Sequence, residues 1–215
     1  MTDAFSDRDD TELAALVAAK LCHDFISPAG AVSQGLDLLE DPSAQDMRDD
    51  ALALIRQSAT RLLAVVDFAR VAFGAASSAE TFTGETLEKL VRDLTGGGRA
   101  TLAWDVQPAT LSKASARVLL NLAYLTVGAL PSGGEATVTA RVDGDRLKID
   151  GLAEGARARL KPEAAAGLAG RPLEEGLPGQ WIQPHWLWLA VRRLGGALEV
   201  QADEGRVRLS ADLPR

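Results

Sequence analysis

Apolar side chains recur along residues 11–40 at Val17 (or Ala18), Leu21, Phe25, Val32, Leu36 and Leu39. Steps of three, four and seven place them on one side of a helix. The segment "EDPSAQD" breaks the pattern, and Pro42 with Ser43 as candidate cap predicts a short turn between helices. A second stripe, Leu52, Ile55, Ala59, Leu62, Val66, Ala69 and Phe73, predicts a second helix over 45–73. The two form a long antiparallel hairpin. Leu16, Cys22, Ala29, Leu54, Leu63 and Val65 widen each stripe beyond a two-helix seam. A four-helix bundle made from two chains would bury them; packing of the hairpin on the rest of its own chain is the alternative. Cys22, beside the stripe, is expected to be a small buried hydrophobe.

Residues 73–84, small and polar, read as a linker. Beyond it the period alternates between helix and strand. "GETLEKLVRDLT" predicts a helix, "RATLAWDVQ" a strand, and 112–130 a helix capped by Ser112. Two strands follow, joined by a turn at Asp143-Gly144-Asp145. A short helix over 161–170, a helix over 184–194 stopped by Gly195-Gly196, and two closing strands complete the chain. Helices between paired strands predict a two-layer α/β sandwich. The expected organisation is α plus α/β: a hairpin domain over 1–76 and a second domain over 81–215.

Composition narrows the function classes. Hydrophobic residues make up 47% and charged residues 25%, enough apolar surface for a core. No apolar run reaches membrane-spanning length, and the acidic start "MTDAFSDRDDTE" is unlike a signal peptide. A lone cysteine excludes an internal disulfide framework and a cysteine-based zinc cluster. Cytoplasmic residence without membrane contact is the expectation. The net charge of −7 is concentrated early: residues 1–80 hold 14 Asp/Glu against 6 Lys/Arg. Such a surface argues against nucleic-acid binding, which needs cations to neutralise phosphates.

Of the two histidines, His23 carries the most information. Lys20, Ser27, Gly30 and Gln34 share its helix face at i−3, i+4, i+7 and i+11. That face is small and polar, so His23 is expected to be exposed beside a shallow surface suited to docking a protein. Pro28 removes one N–H and crowds the carbonyl of Asp24, at a cost of about 3 kcal/mol. A kink and a freed carbonyl are expected there, and strain beside a candidate nucleophile points to function. Imidazole side chains titrate near ~6.5 and are largely neutral at neutral pH, with a lone pair for attack. Histidine can therefore carry a phosphoryl group through a covalent intermediate, with Asp24 orienting the ring. Lys20 and, more weakly, Arg61 are candidates for steadying phosphoryl oxygens. His185, Trp104 and Trp181 are expected to serve packing.

"HDFISP" resembles the phospho-acceptor box of bacterial two-component sensor histidine kinases, H-D/E-x-x-S/T/N-P, with His23, Asp24, Ser27 and Pro28 matching. "RLLAVVDFAR" resembles the second helix of the same domain. "RVLLNLAYLTVGALPSGG" resembles the kinase stretch that holds the ATP-bound magnesium. Leu125 stands where that family has its magnesium-ligand asparagine, Gly128 replaces a basic residue, and Asn121 matches an earlier, structural asparagine. Ala153 stands at the adenine-binding aspartate, and Trp186 and Trp188 stand at phosphate-loop glycines. Leucine removes an oxygen ligand, and indoles fill space that glycine leaves for a close backbone approach.

The combination resembles the ChpT histidine phosphotransferases of bacterial cell-cycle phosphorelays. The resemblance implies a homodimer with one reactive histidine per chain and a kinase-like (Bergerat-type) C-terminal domain that no longer binds ATP. It implies no cofactor on this chain, with magnesium on the partner receiver. Its donor would be the receiver domain of a hybrid kinase (CckA-like) and its acceptors response regulators (CtrA-like and CpdR-like). On this reading His23, Asp24 and Ser27 are catalytic, and Lys20, Pro28, Gly30, Gln34 and Arg61 dock the receiver. The competing readings are an ATP-dependent histidine kinase and a non-catalytic dimeric scaffold for receivers.

Overall fold

The structure is a computed structural model that describes residues 10–74 and 79–215. The acidic start of the chain and residues 75–78 of the expected linker lie outside the described residues.

Helix α1 runs from Asp10 to Glu40 and continues through Pro28; helix α2 runs from Arg48 to Ala72. Pro28 has no N–H to offer the Asp24 carbonyl. The turn between the helices is a 3-10 segment, Pro42–Met47, capped by Asp41 and kinked at Ala44, whose dihedrals are not helical. The Asp41 carboxylate accepts from the Ser43 N–H at 2.8 Å and the Ser43 hydroxyl at 2.7 Å. Ser43 is thus the capped residue, not the cap. The two helices approach closely at Gly35, where a Cβ would lie 2.6 Å from Ile55 Cγ1 and 3.1 Å from the Ala51 carbonyl.

Val17, Leu21, Phe25, Val32 and Leu39 are half-buried on the inner side of α1. Leu36 belongs to the predicted stripe yet is 48% exposed, because it sits on the stripe's edge once 3.6 residues per turn is applied. Cys22 is exposed, against expectation. It falls on the outer face with Ala15, Ala19, Ile26 and Ala29, all exposed.

The remaining chain builds a five-stranded sheet in the order β2-β4-β5-β7-β6. The strands are β2 (Ala100–Val106), β4 (Gly134–Asp143), β5 (Arg146–Glu154), β6 (Ala197–Asp203) and β7 (Arg206–Pro214). β2 and β4 pair in parallel, and the other neighbours pair antiparallel. The β4–β5 turn uses Gly144 at φ +61°, as its Asp-Gly-Asp sequence requires. Alternate residues Ala136, Val138 and Ala140, Leu147 and Ile149, and Val207, Leu209, Ala211 and Leu213 are buried. They pack against α3 (Gly84–Thr95), α4 (Lys113–Gly128) and α6 (Pro178–Arg193), giving two layers. The short α5 (Pro162–Leu168) packs on α6. Ser112 caps α4 by accepting from the Ser115 N–H, as expected.

Two elements depart from the expectation. Residues 81–83 of the expected linker form β1 (Thr81–Thr83), which pairs with β3 (Thr110–Ser112) in a two-stranded ribbon. Helix α6 begins at Pro178 rather than at Pro184, which lies inside it.

The hairpin is tied to the second layer through the end of α2. The Ala72 carbonyl accepts from Asn121 Nδ2 at 2.9 Å and from Trp186 Nε1 at 3.1 Å. Gln183 Nε2 donates to Asn121 Oδ1 at 3.2 Å. Asn121 and Gln183 are buried, and they satisfy a helix-end carbonyl that would otherwise be orphaned. Trp186 also packs on Phe73, at 5.7 Å between centroids.

Candidate functional site

His23 projects from the middle of α1 with its side chain 87% exposed. It stands on the wall of a groove of about 960 Å³ that runs between the hairpin and α3. Asp24, Ser27, Pro28 and Arg61 line the same groove, together with Lys89, Arg92 and Asp93 from α3. Five of the eight residues singled out in the sequence therefore meet in one place. Gly30 and Gln34 are exposed further along α1 and outside the groove lining. A Cβ on Gly30 would meet nothing within 4 Å, so the face beyond the histidine is open.

Lys20 departs from the expectation. Placed on the histidine's face by spacing, it is only 8% exposed. Its Nζ donates to Asp24 Oδ2 at 2.5 Å and lies 5.7 Å from the ring centroid of Tyr124 on α4. The C-terminal layer covers this side of α1, so Lys20 does not share the open face on which His23 stands. Arg61 is likewise engaged: its Nη1 donates to the Leu94 carbonyl near the end of α3, where the helix dipole favours a cation.

Asp24 connects these groups. Oδ2 is held by Lys20, and Oδ1 lies 3.5 Å from His23 Nδ1, at the outer limit of hydrogen-bond reach. A proton on Nδ1, the nitrogen that faces the carboxylate, would leave Nε2 with its lone pair. The arrangement is an exposed imidazole with an anchored carboxylate beside it.

The α3 residues of the groove carry no signal in the sequence. Lys89 pairs with Asp93 at 2.5 Å and Arg92 with Glu88 at 2.7 Å, as ordinary i,i+4 pairs on a solvated face. Only the packing of α3 against α2 brings that face to His23.

In the C-terminal layer, Leu125 and Ala153 are core residues. Trp188 lies over Gly170, where a Cβ would come within 2.2 Å of its ring. Its indole also takes the Arg192 guanidinium at 5.1 Å. His185 is buried and stacks on Trp181 at 4.2 Å between centroids. Trp181 is fully buried and donates to the Arg171 carbonyl at 2.9 Å. Trp104 is half-buried and packs against the core. These side chains pack, as the sequence predicts for His185, Trp104 and Trp181. Among the described residues no helix is long and apolar enough to cross a membrane.

A family model described as the histidine phosphotransferase C-terminal domain matches residues 84–206, from the start of α3 into β7. Over 203 residues the chain is 30% identical to the protein phosphotransferase ChpT of Brucella abortus (strain 2308), covering 94% of this chain and 95% of that protein. A solved bacterial phosphotransferase superposes with a TM-score of 0.83 at 27% identity, over 95% of this chain and 97% of that one. Full-length ShkA, solved in complex with AMPPNP, shares the fold at a TM-score of 0.50 and 24% identity, over 95% of this chain and 45% of that one.

Proposed function

This chain belongs to the histidine phosphotransferases and moves phosphoryl groups within a phosphorelay, and from that premise we propose that His23 is the residue that carries the group. The observation that carries the assignment is the position of His23: 87% exposed, on a groove shared by both layers, with the Asp24 carboxylate 3.5 Å from Nδ1. His185, the other histidine, is buried in a stack of rings.

A receiver domain bearing a phospho-aspartate docks along the groove. Nε2 of His23 attacks phosphorus, the bond from phosphorus to the aspartyl oxygen breaks, and its electron pair leaves on the receiver's carboxylate. The ring gains positive charge, which faces Asp24. The reverse attack by a second receiver's aspartate regenerates the free imidazole. Such a transfer asks mainly for in-line positioning and charge stabilisation. Ser27 supplies a polar group one turn from the histidine, and Pro28 leaves the Asp24 carbonyl without its helical partner. Magnesium on the receiver would neutralise phosphoryl charge there. The donor is the receiver of a hybrid kinase (CckA-like) and the acceptors are response regulators (CtrA-like and CpdR-like).

The C-terminal domain binds no ATP in this reading. Leu125 and Ala153 offer neither a metal ligand nor an adenine partner, and Trp186 is committed to Ala72 and Phe73. Two chains associate through the outer face of the hairpin, supported by Ile26 at 71% and Leu36 at 48% exposure on α1. Exposed apolar side chains so placed suit completion of a four-helix bundle by a second copy.

The test mixes the protein with a radiolabelled phospho-receiver and follows label onto the protein and then onto a second receiver. Label should reach the wild type and not His23→Ala, and ATP alone should label neither. Self-labelling from ATP, or relay through His23→Ala, would overturn the reading.

A further inference from the structure

Lys20 is a buried ammonium to which the transfer just described gives no role. Burying such a charge is costly unless it is paired. Its pairing is specific: Nζ donates to Asp24 Oδ2 at 2.5 Å and lies against the ring of Tyr124, the only tyrosine in the chain. Lys20, Asp24, Arg61, Tyr124 and Gln183 wall a cavity of about 100 Å³ at the seam of hairpin and C-terminal layer, directly behind the histidine's neighbour. Arg61, the other cation on this cavity, directs an Nη1 donor to the Leu94 carbonyl. A side chain that merely filled the seam would not need a charge. One that fixes a carboxylate would.

We propose that Lys20, seated on Tyr124, is a positioning residue for the phosphotransfer histidine. It occupies Asp24 Oδ2 and so presents Oδ1 to His23 Nδ1–H, which makes Nε2 the nucleophilic nitrogen. The inference rests on the proposed role of His23. It gives the C-terminal domain a part in the chemistry that needs no nucleotide: Tyr124, from the helix that carries Leu125, holds the lysine that holds the carboxylate. A ring face is what the ammonium requires of Tyr124, so the hydroxyl is dispensable.

The experiment uses the full chain with a hybrid-kinase (CckA-like) receiver phosphorylated by acetyl phosphate as donor and a CtrA-like receiver as acceptor. It compares wild type, Lys20→Met, Tyr124→Phe, Tyr124→Leu and His23→Gln, reading kcat, the KM for the receiver, and the His23 tautomer from its ¹⁵N shifts. Lys20→Met and Tyr124→Leu should lower kcat roughly ten- to a hundredfold, the range expected when a reacting group is misplaced. KM should stay unchanged, and the ring should move from the Nδ1–H tautomer to a mixture. Tyr124→Phe should behave as wild type. An unchanged kcat and tautomer in Lys20→Met overturns the proposal, as does a raised KM at constant kcat, which would make Lys20 a docking residue. If Lys20→Met does not fold, the two Tyr124 variants decide: Phe as slow as Leu overturns it. Transfer that survives His23→Gln sinks the acceptor assignment itself, whereas His23-dependent transfer indifferent to Lys20 and Tyr124 sinks this proposal alone.

Discussion

At the scale of single residues, the site turns on how one carboxylate is shared. Asp24 stands between a buried ammonium and an exposed imidazole, and each oxygen faces one of them. Asp24→Asn keeps the shape and loses the charge that stabilises the ring as it becomes cationic. The proposed mechanism expects transfer onto His23 to slow by roughly 10²-fold, the low end for a positioned acid–base group. Single-turnover labelling measures this, and an Asn variant as fast as wild type would remove Asp24 from the chemistry. The motif H-D-x-x-S-P made His23, Asp24, Ser27 and Pro28 legible in the sequence. Lys20 was legible only as a neighbour on the same face. Its burial depends on α4 and α6 lying over α1, and no spacing within α1 encodes that. Cys22 misled in the opposite direction, since its apolar character says nothing about which helix face a partner covers.

At the scale of elements, period and caps account for most of what formed. The long helices followed their stripes, and Ser112 and Gly144 stand where local chemistry puts them. The β1–β3 ribbon is not legible in the sequence because three residues a side carry no period to read. The start of α6 is not legible in the sequence because Pro184 reads as a helix start, whereas the helix begins at Pro178 and runs through it. The hairpin turn provides a test with a definite sign. Hydrogen bonds from the Ser43 hydroxyl and then from the Ser43 N–H hold the Asp41 carboxyl below its ordinary value of 3.8. A depressed folded pKa means the contribution is fully present above that ordinary value and is lost as pH falls through the folded one. Asp41→Ala should therefore lower the melting temperature at neutral pH and lose its effect in strongly acid solution. A difference independent of pH would show that the capping carboxylate is not its source.

At the scale of the whole molecule, two interfaces define what the hairpin can do. One is internal: Ala72, Asn121, Gln183 and Trp186 lock the end of α2 to the C-terminal layer. The other is the proposed contact with a second copy through the outer face of the hairpin. Ile26→Glu combined with Leu36→Glu should convert a dimer into a monomer, read by light scattering, while the C-terminal layer keeps its hydrogen-exchange protection. A dimer that persists would move the interface elsewhere. The chain by itself determined the two-part architecture and the phospho-acceptor box, because helix and strand periods and a local motif are properties of neighbouring residues. The tertiary structure alone decided that α3 forms the far wall of the groove, that Lys20 is buried against Tyr124, and that Cys22 faces outward. Each of these depends on which surfaces meet across distant parts of the sequence, and burial is a property of that meeting rather than of the residue.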